Sequence, residues 1–382
     1  MLYPLHELQR MTSDAVSTWT ELLRHAPLPW LRAQASLLHR ITKDYPKPGF
    51  GIPGTVEEVV LARPFCRLVH FAAPHKKSAP RVLVIAPLSG HHATLVRDTV
   101  ATLLQDHDVF VTDWIDAREV PLSQGAFSLD DYVTELRRFI QHLGATNLHI
   151  VAVCQPTVPA LAAVALDAAA GAPAPRSLVL MGGPVDARRN PTVVDKLATD
   201  HPLAWFEQQM IHQVPSRYPG VGRRVYPGFL QLSAFVMMNP DKHAQAYWQY
   251  WLARWRGDDT AATLHEKFYD EYNAVLDMDA QYYLDTVRIV FQEFALARGT
   301  WRVAGELVDP SKITATPIFT IEGELDDISG LGQTAAALEL ATNAPAKRQL
   351  VAEGCGHYGL FSGSRWREAI YPEVRAWIGT HA

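Results

Sequence analysis

The sequence lacks the features that mark secreted and membrane-spanning proteins. Only three of its 382 residues are cysteine, Cys66, Cys154 and Cys355, and an odd number at such wide spacing argues against a disulfide framework. The first residues do not show the basic segment and following apolar run of a secretory signal. No uninterrupted apolar run reaches the length of a transmembrane helix. We therefore expect a cytoplasmic protein without a transmembrane segment.

Strong charge and metal-ligand spacing are also missing. The net charge is −5, so nothing indicates a nucleic-acid partner. The 16 histidines are scattered, and none stands in a metal-binding spacing such as H-E-x-x-H. We expect neither a metal ion nor a cofactor.

What is present is a chain long enough to bury a large core, with 48% hydrophobic and 20% charged residues. Strands and helices alternate from residue 81 to 181, which predicts a mostly parallel sheet with helices on both faces. Two more strands are predicted at 316–323 and 347–351. Helices are predicted at 93–105, 128–143, 156–170, 330–340 and 366–378.

The alternation stops between residues 184 and 310, where the sequence looks helical and is rich in aromatic residues. The prediction is therefore one α/β core, 51–183 and 311–382, interrupted by a helical cap at 184–310. The aromatic residues either fill the cap's own core or line an apolar substrate channel, and both interpretations can hold.

Residues 1–50 form a predicted N-terminal helical segment, with apolar positions such as Leu5, Leu8 and Met11 at helical spacing. Pro27 and Pro29 split it into two helices. Such an amphipathic segment either packs on its own domain or contacts an apolar surface or a partner.

The region around Cys154 indicates a nucleophile. A β-branched strand, residues 148–153, precedes Cys154, and a helix rich in alanine, leucine and valine follows from Pro156. This is the arrangement of the nucleophile elbow, G-x-S-x-G, although here cysteine replaces serine and Ala152 and Pro156 replace both glycines. A lone cysteine at a strand end is more often a small buried hydrophobe, and we leave Cys66 and Cys355 in that class.

A cysteine nucleophile needs a base and an acid that orients the base. In the chain order of this fold the acid follows a late strand and the histidine follows the last one. Asp326 lies three residues after Gly323, the usual offset, with Asp327 as its competitor. His357 lies in a glycine-flanked loop after the last predicted strand.

An oxyanion hole would use two backbone N–H groups. One belongs to Gln155, directly after Cys154. The second is expected in the turn after the strand at 81–86, from Leu88 or, as second choice, Ser89. Ser89 and His91 are also candidates for contacts with polar groups of the substrate.

Six segments resemble intracellular polyhydroxyalkanoate depolymerases, and the likeness extends over nearly the whole chain. They are VCQPTVPALAA at 153–163, SGHHATL at 89–95, YPGFL at 226–230, FYDEY at 268–272, EGELDDIS at 322–329 and GHYG at 356–359. The resemblance implies an α/β-hydrolase that cleaves the ester bonds of stored poly(3-hydroxybutyrate), associated with polyhydroxyalkanoate granules in the cytoplasm. It assigns the nucleophile to Cys154, the acid to Asp326 and the base to His357.

Other functions stay open at this point. Polyhydroxyalkanoate synthases are similar in using Cys, Asp and His on this fold, although the glycines expected around a synthase cysteine are absent. A thioesterase, a hydrolase of small esters and a granule-coating protein without activity are further alternatives. The sequence also leaves the oligomeric state open, including a homodimer.

Overall fold

The computed structural model describes residues 2–72 and 79–382, and its centre is an eight-stranded sheet. The strands, in chain order, are β1 Val56–Ala62, β2 Cys66–Ala72, β3 Arg81–Ile85, β4 Asp108–Trp114, β5 Leu148–Val153, β6 Ser177–Met181, β7 Ile318–Gly323 and β8 Lys347–Ala352. They lie in the spatial order β1-β2-β4-β3-β5-β6-β7-β8. β2 is antiparallel to β1 and β4, and the remaining neighbours are parallel. This is the topology of the α/β-hydrolase fold, and it confirms the predicted fold class.

Burial explains why the strands take these places in the sheet. Every residue of β5, β6 and β7 is buried, as expected for apolar strands covered on both faces. In β8, at the edge, half-buried residues alternate with exposed ones, so one face meets solvent.

Helices cover both faces of the sheet and make up most of the N-terminal segment and of the insertion. Their bounds are α1 Leu2–Leu23, α2 Pro29–Thr42, α3 Arg97–Leu103, α4 Leu129–Leu143, α5 Thr157–Ala169, α6 Val193–Asp200, α7 Leu203–Met210, α8 Gly228–Met238, α9 Pro240–Arg256, α10 Asp259–Tyr272, α11 Ala280–Asp285, α12 Ala336–Leu340 and α13 Tyr371–Thr380. π-helical turns extend α11 over Thr286–Gln292 and precede α13 over Arg365–Ile370. The predicted start of α4 is confirmed, because Ser128 and Asp131 form a capping box.

Two of the predicted helices differ from the structure. The segment 93–105 begins as a 3-10 turn, Ala93–Val96, before α3. The helix predicted at 330–340 is wrong over its first half. Oε1 of the buried Glu322 accepts hydrogen bonds from the N–H groups of Gly332, Thr334 and Ala335, at 2.9, 2.8 and 3.1 Å. These bonds hold the segment in turns, so α12 begins only at Ala336.

The N-terminal helices pack against the rest of the protein. The Tyr3 hydroxyl donates to Asp277 Oδ2 at 2.6 Å, and the ring of His6 stacks on Phe229 at 4.0 Å. Arg40 in α2 donates to Asp270 Oδ1 at 2.5 Å. These contacts favour the interpretation in which the N-terminal segment packs on its own protein. The predicted apolar positions Leu5, Leu8 and Met11 lie outside the described side chains.

The insertion contains helices α6 to α11 and a small three-stranded antiparallel sheet. Its strands are His212–Gln213, Arg224–Tyr226 and Met278–Asp279. Arg223 is buried and donates to the carbonyls of Val120, Pro121 and Gly125 and to Asp279 Oδ2. One side chain therefore joins the insertion to the loop after β4.

Candidate active site

Cys154 occupies the turn between β5 and α5 with φ of 67°. This left-handed conformation is rare for a residue with a side chain and costs roughly 1–3 kcal/mol. Its N–H donates to the Met181 carbonyl at 2.7 Å, and its carbonyl accepts from Thr157 N at 3.1 Å. These bonds fix a sharp strand–turn–helix, and Cys154 stays partly exposed rather than sealed in the core. The helix begins at Thr157, one residue later than predicted.

Two glycines after β6 make this turn possible. A Cβ at Gly183 would lie 1.8 Å from Thr157 Oγ1 and 2.3 Å from the Cys154 carbonyl oxygen. Gly182 has φ of 57°, and its Cβ would lie 2.7 Å from Leu360 Cδ1. Only glycine fits at both places, so the glycines missing around the cysteine are supplied by the neighbouring strand. No pattern in the sequence indicated this role of the pair.

His357 and Asp326 are in direct contact. Nδ1 of His357 lies 2.8 Å from Asp326 Oδ2, and both side chains are almost completely buried, with exposures of 4% and 0%. Because an ionised carboxylate only accepts hydrogen bonds, Nδ1 carries the proton of this bond and Nε2 is left for the nucleophile. The other oxygen of Asp326 accepts from the N–H groups of Ile328 and Ser329, both at 2.9 Å. Asp327, its competitor, is exposed.

Both Asp326 and Cys154 influence the pKa of the His357 imidazole. Burial alone would lower the pKa of His357. The charge on Cys154 and hydrogen bonds with Asp326 and Cys154 outweigh burial and raise the pKa to about 10. The cysteine, histidine and aspartate predicted from three distant segments therefore lie together at one end of the sheet. This arrangement can hold a thiolate–imidazolium pair.

The turns that carry the candidate oxyanion groups follow two adjacent strands. β3 pairs with β5, with Ile85 opposite Ala152, so the turns carrying Leu88 and Gln155 leave the sheet side by side. Chain connections leave β3 and β5 in opposite directions, and such a switch point opens a crevice for ligands. No hydrogen bond within the described ranges uses the backbone N–H of Leu88, Ser89 or Gln155.

The turn after β3 is tied to both core and insertion. Trp114 Nε1 donates to the Ala86 carbonyl at 2.8 Å, and Leu276 N donates to the Gly90 carbonyl at 2.8 Å. His91 is buried, and its Nε2 lies 3.1 Å from the Tyr272 carbonyl. Burial and this bond favour a supporting role for His91 in the turn over the substrate contact considered for it.

The aromatic residues of the insertion divide between two environments. Trp248, Trp251 and Trp255 follow one another along α9 with ring distances of 5.1 and 5.3 Å, and Trp248 and Trp255 are exposed on the surface. Tyr282, in α11, is fully buried, and the charge on Cys154 contributes to its raised pKa after burial. No pattern in the sequence distinguishes Tyr282 among so many aromatic residues.

Other features of the described residues lie apart from this site. Cys66 and Cys355 are buried, and burial raises the pKa of both thiols. A cavity of about 450 Å³ between the N-terminal helices and the insertion includes neither Cys154 nor His357. Within the described ranges no three His, Cys, Asp or Glu side chains converge as metal ligands would. None of the described helices combines the length and apolarity that crossing a bilayer requires.

The fold and the chemistry of this site define an α/β-hydrolase. A family model described as the PHB de-polymerase C-terminus matches residues 182–382, which is more than half of the chain. The chain therefore belongs to the poly(3-hydroxybutyrate) depolymerase family and is a carboxylic ester hydrolase. The match includes Asp326 and His357, whereas Cys154 precedes it.

The remaining comparisons are more distant. No curated protein matches the chain. Among solved structures, it is similar to a putative lipase from Acinetobacter baumannii AYE, with 15% identity, a TM-score of 0.49, and coverage of 92% of this chain and 97% of the other. A carboxylesterase from Nitrososphaera gargenis has 13% identity and a TM-score of 0.45, with 84% and 99% covered. A thermophilic esterase from Thermogutta terrifontis has 13% identity and a TM-score of 0.44, with 86% and 98% covered.

Proposed function

We propose that the chain hydrolyses the ester bonds of intracellular polyhydroxyalkanoate, poly(3-hydroxybutyrate), through a Cys154–His357–Asp326 triad. The observation that carries the proposal is the buried imidazole between two partners, Asp326 at 2.8 Å on Nδ1 and Cys154, whose interactions raise the pKa of His357 to about 10. Such an imidazole takes the thiol proton readily and leaves a thiolate on the strained turn.

The reaction then runs in two halves. The Cys154 thiolate attacks the ester carbonyl, and the oxyanion accepts hydrogen bonds from the N–H groups of Gln155 and Leu88, with Ser89 as the alternative second donor. His357 gives its proton to the departing alkoxide, and a 3-hydroxyacyl thioester remains on Cys154. His357 next takes a proton from water, the hydroxide attacks the thioester, and the acid product leaves as the thiol re-forms.

The proposed substrate fits the chemistry around the site. A polyester is neutral and apolar, and residues 184–310, which we propose to act as a cap, include the buried Tyr282, whose pKa is raised in part by the charge on Cys154. We further propose that the protein works in the cytoplasm at the surface of polyhydroxyalkanoate granules.

The test is an assay of 3-hydroxybutyrate release from amorphous granules by the purified protein. Cys154→Ala is expected to reduce the rate by at least about 10⁴-fold, because it removes the group that forms the covalent intermediate. A thiol-alkylating agent is expected to have the same effect on the parent. Cys66→Ala is the matched control, since its thiol is buried in the core, and it should retain activity.

The assay also separates the alternatives. Full activity of Cys154→Ala would refute the triad. Activity on short soluble esters or thioesters without activity on granules would indicate a small-ester hydrolase or thioesterase instead. Release of CoA from 3-hydroxybutyryl-CoA with growth of polymer would indicate a synthase-like acyltransferase.

A further inference from the structure

The hydroxyl of Thr334 makes two buried hydrogen bonds with the backbone of Gly183. It accepts one from the Gly183 N–H at 2.8 Å and donates one to the Gly183 carbonyl at 2.9 Å. Thr334 has 0% exposure, so bulk water does not compete for either bond. Both polar groups of the Gly183 backbone therefore bind one hydroxyl that is 151 positions away in the sequence.

The Gly183 backbone in turn contacts the turn that carries Cys154. A Cβ on Gly183 would lie 2.3 Å from the Cys154 carbonyl oxygen, so the two backbones approach each other closely. Cys154 N donates to the carbonyl of Met181, two residues before Gly183, at 2.7 Å. Residues 181–183 thus contact the strained Cys154 backbone at both its N–H and its carbonyl, and a shift of this segment would displace the sulfur.

Thr334 is itself fixed through its backbone. Its N–H donates to Oε1 of the buried Glu322 at 2.8 Å, and the same oxygen accepts from Gly332 and Ala335 at 2.9 and 3.1 Å. Glu322 lies in β7, which pairs with β6 in the sheet. The carboxylate therefore ties the Thr334 turn to the sheet, so that the hydroxyl meets Gly183 from a fixed position.

The same turn also contacts the loop that carries Asp326. Ser329 N donates to Asp326 Oδ1 at 2.9 Å, and the Ser329 hydroxyl donates to Gln333 Oε1 at 3.4 Å. Gln333 is fully buried and directly precedes Thr334. Residues 329–334 therefore connect the acid of the proposed triad with the segment that supports its nucleophile.

Resting on the proposed function, we infer that Thr334 is a positioning residue for the Cys154–His357 pair. It acts through Gly183 and not on the substrate. Its hydroxyl holds Gly183, Gly183 holds the Cys154 turn, and the sulfur is thereby kept beside the imidazole. Such support matters because a misplacement of about 1 Å can lower a rate by about 10²-fold.

Thr334→Val tests this inference, because valine has nearly the same shape but neither donates nor accepts a hydrogen bond. It leaves the Gly183 N–H without a partner among the described residues, whereas the carbonyl keeps a bond from Val185 N at 3.0 Å. The kcat for 4-nitrophenyl butyrate, per mole of folded protein, is expected to fall by about 10–100-fold with little change in KM. Thr334→Ser restores the hydroxyl and should stay within about threefold of the parent.

A second readout is the rate at which iodoacetamide alkylates Cys154 as a function of pH, followed by mass spectrometry of the Cys154 peptide. Because the thiolate reacts and the thiol does not, the profile reports how readily the thiolate forms beside His357. Displacing the sulfur weakens that pair, so Thr334→Val should move the profile to higher pH by at least about one pH unit. A loss of stability alone would not move it.

Thr316→Val is the matched control. Thr316 is also a buried threonine whose hydroxyl donates to a carbonyl, that of Pro175, at 3.0 Å, but it precedes β7, whereas Asp326 follows that strand. This variant should lower Tm and leave both readouts at the parental values. If Thr334→Val does not fold, Thr334→Ala, which removes the hydroxyl and leaves space, gives the same comparison.

The outcomes separate this inference from the proposed function. Parental kcat and a parental alkylation profile in folded Thr334→Val, or equal losses in Thr334→Val and Thr334→Ser, would overturn the positioning role while leaving the triad intact. An alkylation profile that is the same in the parent and in His357→Ala would instead overturn the proposed triad, and with it the role of Thr334.

Discussion

Two largely buried clusters of ionisable side chains differ in what their hydrogen bonds do. In the proposed triad, the Asp326 carboxylate is fully bonded and holds His357, while the Cys154 sulfur stays partly exposed at a strained turn. The second, which we call the junction cluster, consists of Tyr3, Asp116, Arg118 and Asp277. It joins the N-terminal helix, the loop after β4 and the insertion.

Each member of the junction cluster is hydrogen-bonded or ion-paired to another member. Tyr3 donates to Asp277 at 2.6 Å, Asp277 N donates to Asp116 Oδ1 at 3.1 Å, and Arg118 is ion-paired with Asp116 at 3.1 Å. Burial of acids alone therefore does not mark an active site. The proposed triad differs because it includes a partly exposed sulfur, that of Cys154.

Of the variants that compare the two clusters, Asp326→Asn is expected to have the largest effect. The amide cannot hold His357 in the required tautomer or stabilise the imidazolium, so kcat should fall by about 10²–10⁴-fold, less than for Cys154→Ala. The measurement is steady-state hydrolysis of a soluble ester. Asp327→Asn, one residue away and exposed, should stay within about twofold of the parent. The reverse order of the two variants would reassign the acid.

Tyr3→Phe is expected to lower the stability of the protein without changing kcat. It leaves Asp277 Oδ2 without its buried donor, which should lower the free energy of unfolding by about 1–3 kcal/mol. Denaturant unfolding measures this loss, and kcat of the folded protein should be unchanged. A large fall in kcat at undiminished stability would show that the junction cluster takes part in the reaction after all.

The smallest effect is a change in the pH dependence of stability. Burial and the neighbouring Asp277 raise the pKa of Asp116 to about 8, while Arg118 lowers it. The folded state then binds more protons than the unfolded state between about pH 4 and pH 8, so this group's contribution to stability falls as pH rises through that window.

Asp116→Asn removes this ionisation. Between pH 5 and pH 8 the variant should lose less thermal stability than the parent, measured as Tm at both pH values. Parallel curves for the two proteins would show that Asp116 is already ionised across the window.

The three residues of the proposed triad could be located because the roles follow chain order and strand ends, both of which a sequence records. The predicted strands lay within one or two residues of the observed bounds of β5, β7 and β8, and Cys154, Asp326 and His357 were located from these three strand ends. Their catalytic roles stay predictions until the variants are measured.

What could not be predicted depends on contacts between distant residues. The helix expected from residue 330 fails because Glu322, on a different element, takes the amides of the segment. Tyr3 meets Asp277 across 274 positions of the chain, which no local pattern records. Tyr282 is indistinguishable by sequence from the aromatics that merely fill the insertion.

The bond from Leu276 N to the Gly90 carbonyl, together with the bridge between His91 and Val275, couples two parts of the protein mechanically. A displacement of the segment around Leu276 would pull on the turn that carries Leu88. If Leu88 N–H activates the carbonyl as proposed, an outward movement of the insertion would displace this donor at the same moment as it admitted bulk solvent, and the open protein would be inactive.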